Sequence, residues 1–100
     1  MEQFSRTISL VGQEAFDRVH RARVAVFGVG GVGGYVCEAL VRSGIAEIDL
    51  FDRDDVSISN LNRQIIALHS TIGQDKVDAM AARLKDINPC LLYTSPSPRD

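Results

Sequence analysis

Apolar positions follow two different rhythms along the chain. Arg23-Val-Ala-Val-Phe27 is a short β-branched and aromatic run that stops at glycine, which predicts a strand buried in a parallel sheet. Ile48-Asp-Leu-Phe51 predicts a second strand, and it runs directly into the acidic cluster Asp52, Asp54 and Asp55. Between and after these runs the spacing turns helical. Val36, Ala39 and Leu40 recur within Gly33 to Ser43, with Gly44 as a C-terminal stop. Val77, Met80, Ala81, Leu84 and Ile87 form one stripe over Gln74 to Asn88, ended by Pro89. Upstream, Gly12 breaks the chain before Gln13 to His20, where Phe16 and Val19 define one apolar helical face. Phe4 to Leu10 is a short mixed segment, and Val56 to Thr71 is polar without a regular period. The order helix, strand, helix, strand, loop, helix predicts an α/β protein with a Rossmann-like, doubly wound parallel sheet. Parallel strands need helices on both faces and neighbours at their edges. Residues 1–89 are therefore expected to be the N-terminal βαβα part of a larger domain, not able to function alone.

The pattern ends at Pro89. Residues 90–100, Cys90-Leu-Leu-Tyr-Thr-Ser-Pro-Ser-Pro-Arg-Asp100, hold two of the chain's three prolines and continue no period. The peptide resembles a translated reading frame of the transposase adaptor used in sequencing libraries, so it is expected to be a non-native tail and is set apart from the functional reading.

Composition narrows the function classes. Of the 100 residues 45% are hydrophobic and 24% charged, the balance of a globular domain rather than of disorder, collagen or a disulfide scaffold. A net charge of −2 provides no global basic field for nucleic acid or anionic lipid, so any RNA contact has to be local or lie outside this chain. The longest uncharged run, Val24 to Cys37, has 14 residues, five of them glycine, against the ~20 apolar residues that cross a bilayer. No transmembrane segment and no apolar secretory leader is read, and the expected location is cytoplasmic. Cys37 and Cys90 suit reduced thiols.

The candidate chemistry begins at Gly28-Val-Gly30-Gly31-Val-Gly33-Gly34, placed after the first strand and opening the first helix. In that context the first glycine permits a tight turn, the second lets backbone approach phosphate, and the third allows close packing. The helix N-terminus then offers free N–H groups and a positive dipole. Asp52 ends the next strand 24 residues after Gly28, placed to accept hydrogen bonds from ribose hydroxyls. The residues beyond Asp52 choose the nucleotide. Ser59-Asn-Leu-Asn-Arg-Gln64 and Lys76 add two cations and several amides. A dinucleotide pyrophosphate, with about two negative charges, is usually satisfied by the glycine loop, whereas the β- and γ-phosphates of a triphosphate call for Arg, Lys and a metal ion. Arg63 and Lys76 thus favour ATP over NAD. Cys37, beside Val36 and Leu40, reads as a packing thiol. His20 and His69 have no partner at metal-ligand spacing, and no metal site is predicted within the chain.

Gly28 to Gly34, Asp52-Arg-Asp-Asp-Val56 and Ser59 to Gln64 together resemble the adenylating domain of the ThiF/MoeB and ubiquitin-activating-enzyme superfamily. Asn62-Arg-Gln-Ile65, Ala67-Leu68, Thr71-Ile-Gly73, Lys76-Val77, Met80, Arg83 and Ile87-Asn-Pro89 are most similar to the branch of bacterial tRNA threonylcarbamoyladenosine dehydratases. The resemblance implies a homodimer that uses ATP and Mg2+, with tRNA bound mostly outside this stretch. It implies that Gly28, Gly30, Gly31, Gly33, Asp52, Asp54, Asn60, Arg63, Gln64 and Lys76 line the nucleotide site. Arg63 and Lys76 are then the catalytic cations, and Arg6 reaches the triphosphate of a partner subunit. A carboxylate attacks the α-phosphate, pyrophosphate leaves, and a nucleophile captures the acyl-adenylate. The metal-binding aspartate and any catalytic cysteine of the family would lie beyond residue 89, and Arg53 stands where relatives often carry an apolar residue. Three alternatives stay open: adenylation of the C-terminus of a ubiquitin-like sulfur carrier, which downstream Cys-x-x-Cys pairs would favour; an NAD-dependent oxidoreductase, which leaves Arg63 and Lys76 without work; and a nucleotide-binding scaffold without turnover.

Overall fold

The computed structural model describes residues 2–94. A single 3-10 turn, Glu2–Phe4, leads into helices α1 (Ser5–Val11) and α2 (Gln13–Arg21). Strand β1 (Arg23–Phe27), helix α3 (Gly31–Arg42) and strand β2 (Glu47–Phe51) form a βαβ unit; a 3-10 turn at Ile58–Asn60, helix α4 (Lys76–Ile87) and strand β3 (Leu92–Thr94) come after it. The three strands are parallel in the order β1-β2-β3. Arg23 pairs with Glu47 and Phe27 with Phe51, while Glu47 pairs with Leu92 and Asp49 with Thr94.

Strand side chains alternate between faces. Val24, Val26, Ile48 and Leu50 point to one side, where α3 and α4 cover them with Cys37, Val41, Val77, Met80, Ala81 and Leu84. Ile66 and Ala67, from the irregular segment, and Leu91 complete the core. The opposite face carries Arg23, Ala25 and Phe27 beside Glu47, Asp49 and Phe51, and these are exposed or half-buried. Phe27 is 77% exposed and stacks on Phe51 with ring centroids 4.5 Å apart. The expectation of a buried β1 holds for one face only: helices cover a single face of the sheet among the described residues, so the other half of β1 meets solvent.

Two more expectations change. The mixed segment at Phe4 to Leu10 is helical from Ser5 onward, as α1, although no residue of that helix is buried; its position is held by Phe4, the buried residue before it. Phe4 packs on Phe16 and His20, with centroids 5.4 and 6.3 Å away. His20 Nδ1 lies 2.8 Å from the Gly44 carbonyl oxygen. A carbonyl only accepts, so Nδ1 carries the proton. The second change is β3, which the sequence pattern does not predict. Tyr93 and Thr94 are strand-favouring residues, and Leu91 just before the strand is fully buried. They belong to the segment set apart as a tail; its residues 95–100 lie outside the described residues. The helix expected at 33–43 begins at the loop itself, Gly31, and that expected at 74–88 begins at Lys76.

Candidate nucleotide site

The site lies where the C-terminal ends of β1 and β2 meet the N-termini of α3 and α4, the usual crevice of an open parallel sheet. Gly28 leaves β1 with φ +85°, a conformation that glycine adopts freely, and its N–H donates to Phe51 O at 2.7 Å. Gly33 is required for a different reason. A Cβ there would stand 1.6 Å from the Gly28 carbonyl oxygen, so the first turn of α3 lies against the loop backbone. Gly30 and Gly31 stand at the head of α3, with Gly30 as its N-cap.

Asp52 ties this loop to the end of β2. Its Oδ2 accepts from the Val29 N–H at 2.9 Å and its Oδ1 from the Asp54 N–H at 2.9 Å. A carboxylate offers about four acceptor positions, so two such bonds leave capacity for a ribose diol. The same contacts hold the carboxylate still beside the glycine loop.

Lys76 is the first residue of α4, and its side chain is 9% exposed. Its backbone N–H donates to Asp54 O at 2.9 Å, and Nζ stands 3.9 Å from Asp54 Oδ2, on a side chain 75% exposed. A buried ammonium at a helix N-terminus opposes the dipole and loses hydration. A long contact to a solvated carboxylate offsets little of that cost, so the location favours an additional anion.

The turn after β2 is built by Ser57 and Asn60. Asn60 is buried, and its Oδ1 accepts from Ser57 N–H at 2.9 Å and from Ser57 Oγ–H at 3.0 Å. Ser57 is not among the residues singled out by sequence; the Ser-x-x-Asn spacing of a capping box is the signal that identifies it. Asn60 O in turn accepts from the N–H groups of Arg63 and Gln64. This places the Gln64 amide against Gly30. Arg63 is exposed, and its guanidinium donates to Ser59 O and Asn62 Oδ1, both at 3.0 Å. Both acceptors are neutral, so neither cancels its charge. Arg6 sits exposed on α1, whose anchor at Phe4 and Gly44 belongs to the end of the sheet where β2 begins. The structure thus brings together Gly28, Gly30, Gly31, Gly33, Asp52, Asp54, Asn60, Gln64 and Lys76, with Arg63 on the rim.

Among the described residues no three His, Cys, Asp or Glu side chains are grouped to hold a metal ion. Cys37 is fully buried beneath the loop, and burial pushes its thiol up to about 11. That suits a packing residue, since a nucleophile needs an accessible thiolate.

The ThiF family model matches residues 4–95. The tRNA threonylcarbamoyladenosine dehydratase of Bacillus subtilis is 54% identical over 89 residues, which is 89% of this chain and 35% of that protein. The ubiquitin-like modifier-activating enzyme 5 of Bombyx mori is 46% identical over 74 residues, 74% of this chain and 19% of that protein. The crystal structure of E. coli tRNA N6-threonylcarbamoyladenosine dehydratase, TcdA, in complex with ATP superposes with a TM-score of 0.91 at 42% identity, covering 94% of this chain and 39% of that one. The chain spans about a third of the length of the bacterial dehydratases it matches.

Proposed function

The chain belongs to the ThiF family, and from that premise we propose that its loop binds ATP to adenylate a carboxylate, namely that of threonylcarbamoyladenosine in tRNA. The observation that carries the nucleotide is Lys76, a buried cation at the N-terminus of α4 with its Nζ 3.9 Å from Asp54, which NAD would leave idle. The substrate rests on the 54% identity with the B. subtilis dehydratase. In this reading the glycine loop and the α3 N-terminus hold the phosphates and Asp52 holds the ribose. The substrate carboxylate oxygen bonds to the α-phosphorus while the bond to the β-phosphate oxygen breaks. Lys76 and Arg63 take up the charge that collects on departing pyrophosphate. An internal nucleophile of the same modification then displaces AMP and closes the ring. The described residues do not by themselves form a Mg2+ cage; a homodimer in which Arg6 serves the partner's triphosphate, in the cytoplasm, completes the proposal.

The test uses the full-length protein that carries this chain, with ATP and tRNA bearing threonylcarbamoyladenosine. Mass spectrometry of the nucleosides should show the modification lose one water. A second reading, activation of a ubiquitin-like protein's C-terminus, is favoured by the 46% identity with the Bombyx mori enzyme. It replaces the first if tRNA is untouched and a ubiquitin-like protein supports pyrophosphate exchange.

A further inference from the structure

Helices α3 and α4 each join one parallel strand to the next, so they run in the same direction and bring their first residues, Gly31 and Lys76, to the same end of the sheet. Their heads are linked there through the loop after β2: the Lys76 N–H donates to Asp54 O and the Asp54 N–H to Asp52 Oδ1, both at 2.9 Å. One fixed point leaves two rods free to pivot. About a turn further on, a Cβ on Gly34 would stand 3.4 Å from Met80 Cε, so a bare glycine meets a flexible thioether chain. That contact holds the helices together without fixing their register.

The next contact is directional. Glu38 Oε2 accepts from Arg83 Nε–H at 2.8 Å, across the two helices, and Glu38 Oε1 accepts from Arg42 Nε–H at 2.9 Å. With both oxygens engaged, the carboxylate keeps one orientation. Glu38 comes seven residues after Gly31, and Arg83 seven after Lys76, a depth of about 10 Å along each axis. The pair thus joins the helices at equal depth and supplies the second fixed point.

We infer that Glu38 and Arg83 are positioning residues for the proposed adenylation, holding the heads of α3 and α4 level and so setting where Lys76 stands against phosphates bound at the glycine loop. The inference rests on that reading and adds to it two residues outside the nucleotide site. Lys76 acts on charge that collects on departing pyrophosphate, so its displacement lowers the rate more than it lowers ATP affinity.

The test is exchange of labelled pyrophosphate into ATP by the full-length protein with tRNA bearing threonylcarbamoyladenosine, with ATP affinity and melting temperature measured on the same variants. Arg83→Met keeps the methylene packing and removes the charge; Glu38→Gln keeps the shape. Each should slow exchange about tenfold, within the range for a group displaced from afar, change ATP affinity by less than about threefold, and stay folded at the assay temperature. Arg83→Lys should recover most of the rate, because the contact with Glu38 uses Nε and not the two-pronged fork. Adding Glu38→Gln to Lys76→Ala should slow exchange by no more than about twofold beyond Lys76→Ala alone, since the pair acts through Lys76. Wild-type exchange in Glu38→Gln and Arg83→Met, losses that multiply with Lys76→Ala, an equal loss of ATP affinity, an Arg83→Lys variant as slow as Arg83→Met, or unfolding at the assay temperature would each overturn the inference and leave the adenylation reading intact. A wild-type protein without exchange would overturn that reading and this inference with it.

Discussion

Asp52 carries two duties at once, and they separate by substitution. Its oxygens hold Val29 and Asp54 through their N–H groups and retain capacity for ribose. Asp52→Ala should weaken ATP binding by about 1.5–3 kcal/mol, the range for a charge-assisted contact; titration with ATP checks it, and unchanged affinity would remove the ribose role. Much at this scale is legible from sequence. Gly28, Gly33 and Asp52 stand at spacings that local backbone geometry dictates, whereas α3 buries Gly34, Cys37 and Val41 rather than the expected stripe of Val36, Ala39 and Leu40, of which Val36 and Ala39 are exposed. The Gln64 contact with Gly30 is not legible, because it joins residues 34 positions apart through a turn with no periodic signal. Nor is the direction of Arg63, since an exposed guanidinium takes whichever nearby acceptors the turn provides.

The two helices under the sheet are clamped by one carboxylate. Glu38 on α3 accepts from Arg83 on α4 at 2.8 Å and from Arg42 at 2.9 Å. The Arg83 hydrogen bond, then that from Arg42, holds its carboxyl below the usual range. A carboxyl lowered in the folded state stabilises the fold fully above the unfolded carboxylate range, about pH 4–5, and loses that contribution as pH falls through the lowered folded value. Thermal unfolding between about pH 3 and 7 should therefore show a Glu38-dependent loss on the acid side, and Glu38→Gln should flatten it. A variant that tracks wild type across that range would show the clamp to be energetically idle. Elements with a strong period, α2, α3, α4, β1 and β2, are the ones the sequence reveals. Helix α1 has no buried residue to mark a period, and β3 is three residues long, too short for alternation to stand out; each is placed by contacts with distant segments instead.

For the molecule as a whole, the proposed nucleotide site lies at one end of a sheet that, among the described residues, helices cover on one face. With a net charge of −2, tRNA recognition in the proposed reaction cannot come from a general field of this chain and has to be local or supplied elsewhere in the full-length protein. The fold class followed from the order of elements; the openness of the Phe27 and Phe51 face did not, because strand composition alone does not tell which face is covered. Adenylation is the central claim, and it moves negative charge onto pyrophosphate. Cations at the β- and γ-phosphates should then stabilise the transition state more than bound ATP. The direct measurement is exchange of labelled pyrophosphate into ATP by the full-length protein, dependent on tRNA bearing threonylcarbamoyladenosine, with ATP affinity determined on the same variants. Lys76→Ala and Arg63→Ala should each slow exchange by about 10²–10³, with smaller changes in affinity, and Arg63→Lys should not restore the fork that grips two oxygens. Exchange within about twofold of wild type in both alanine variants, a barrier change below ~0.5 kcal/mol, would contradict the account.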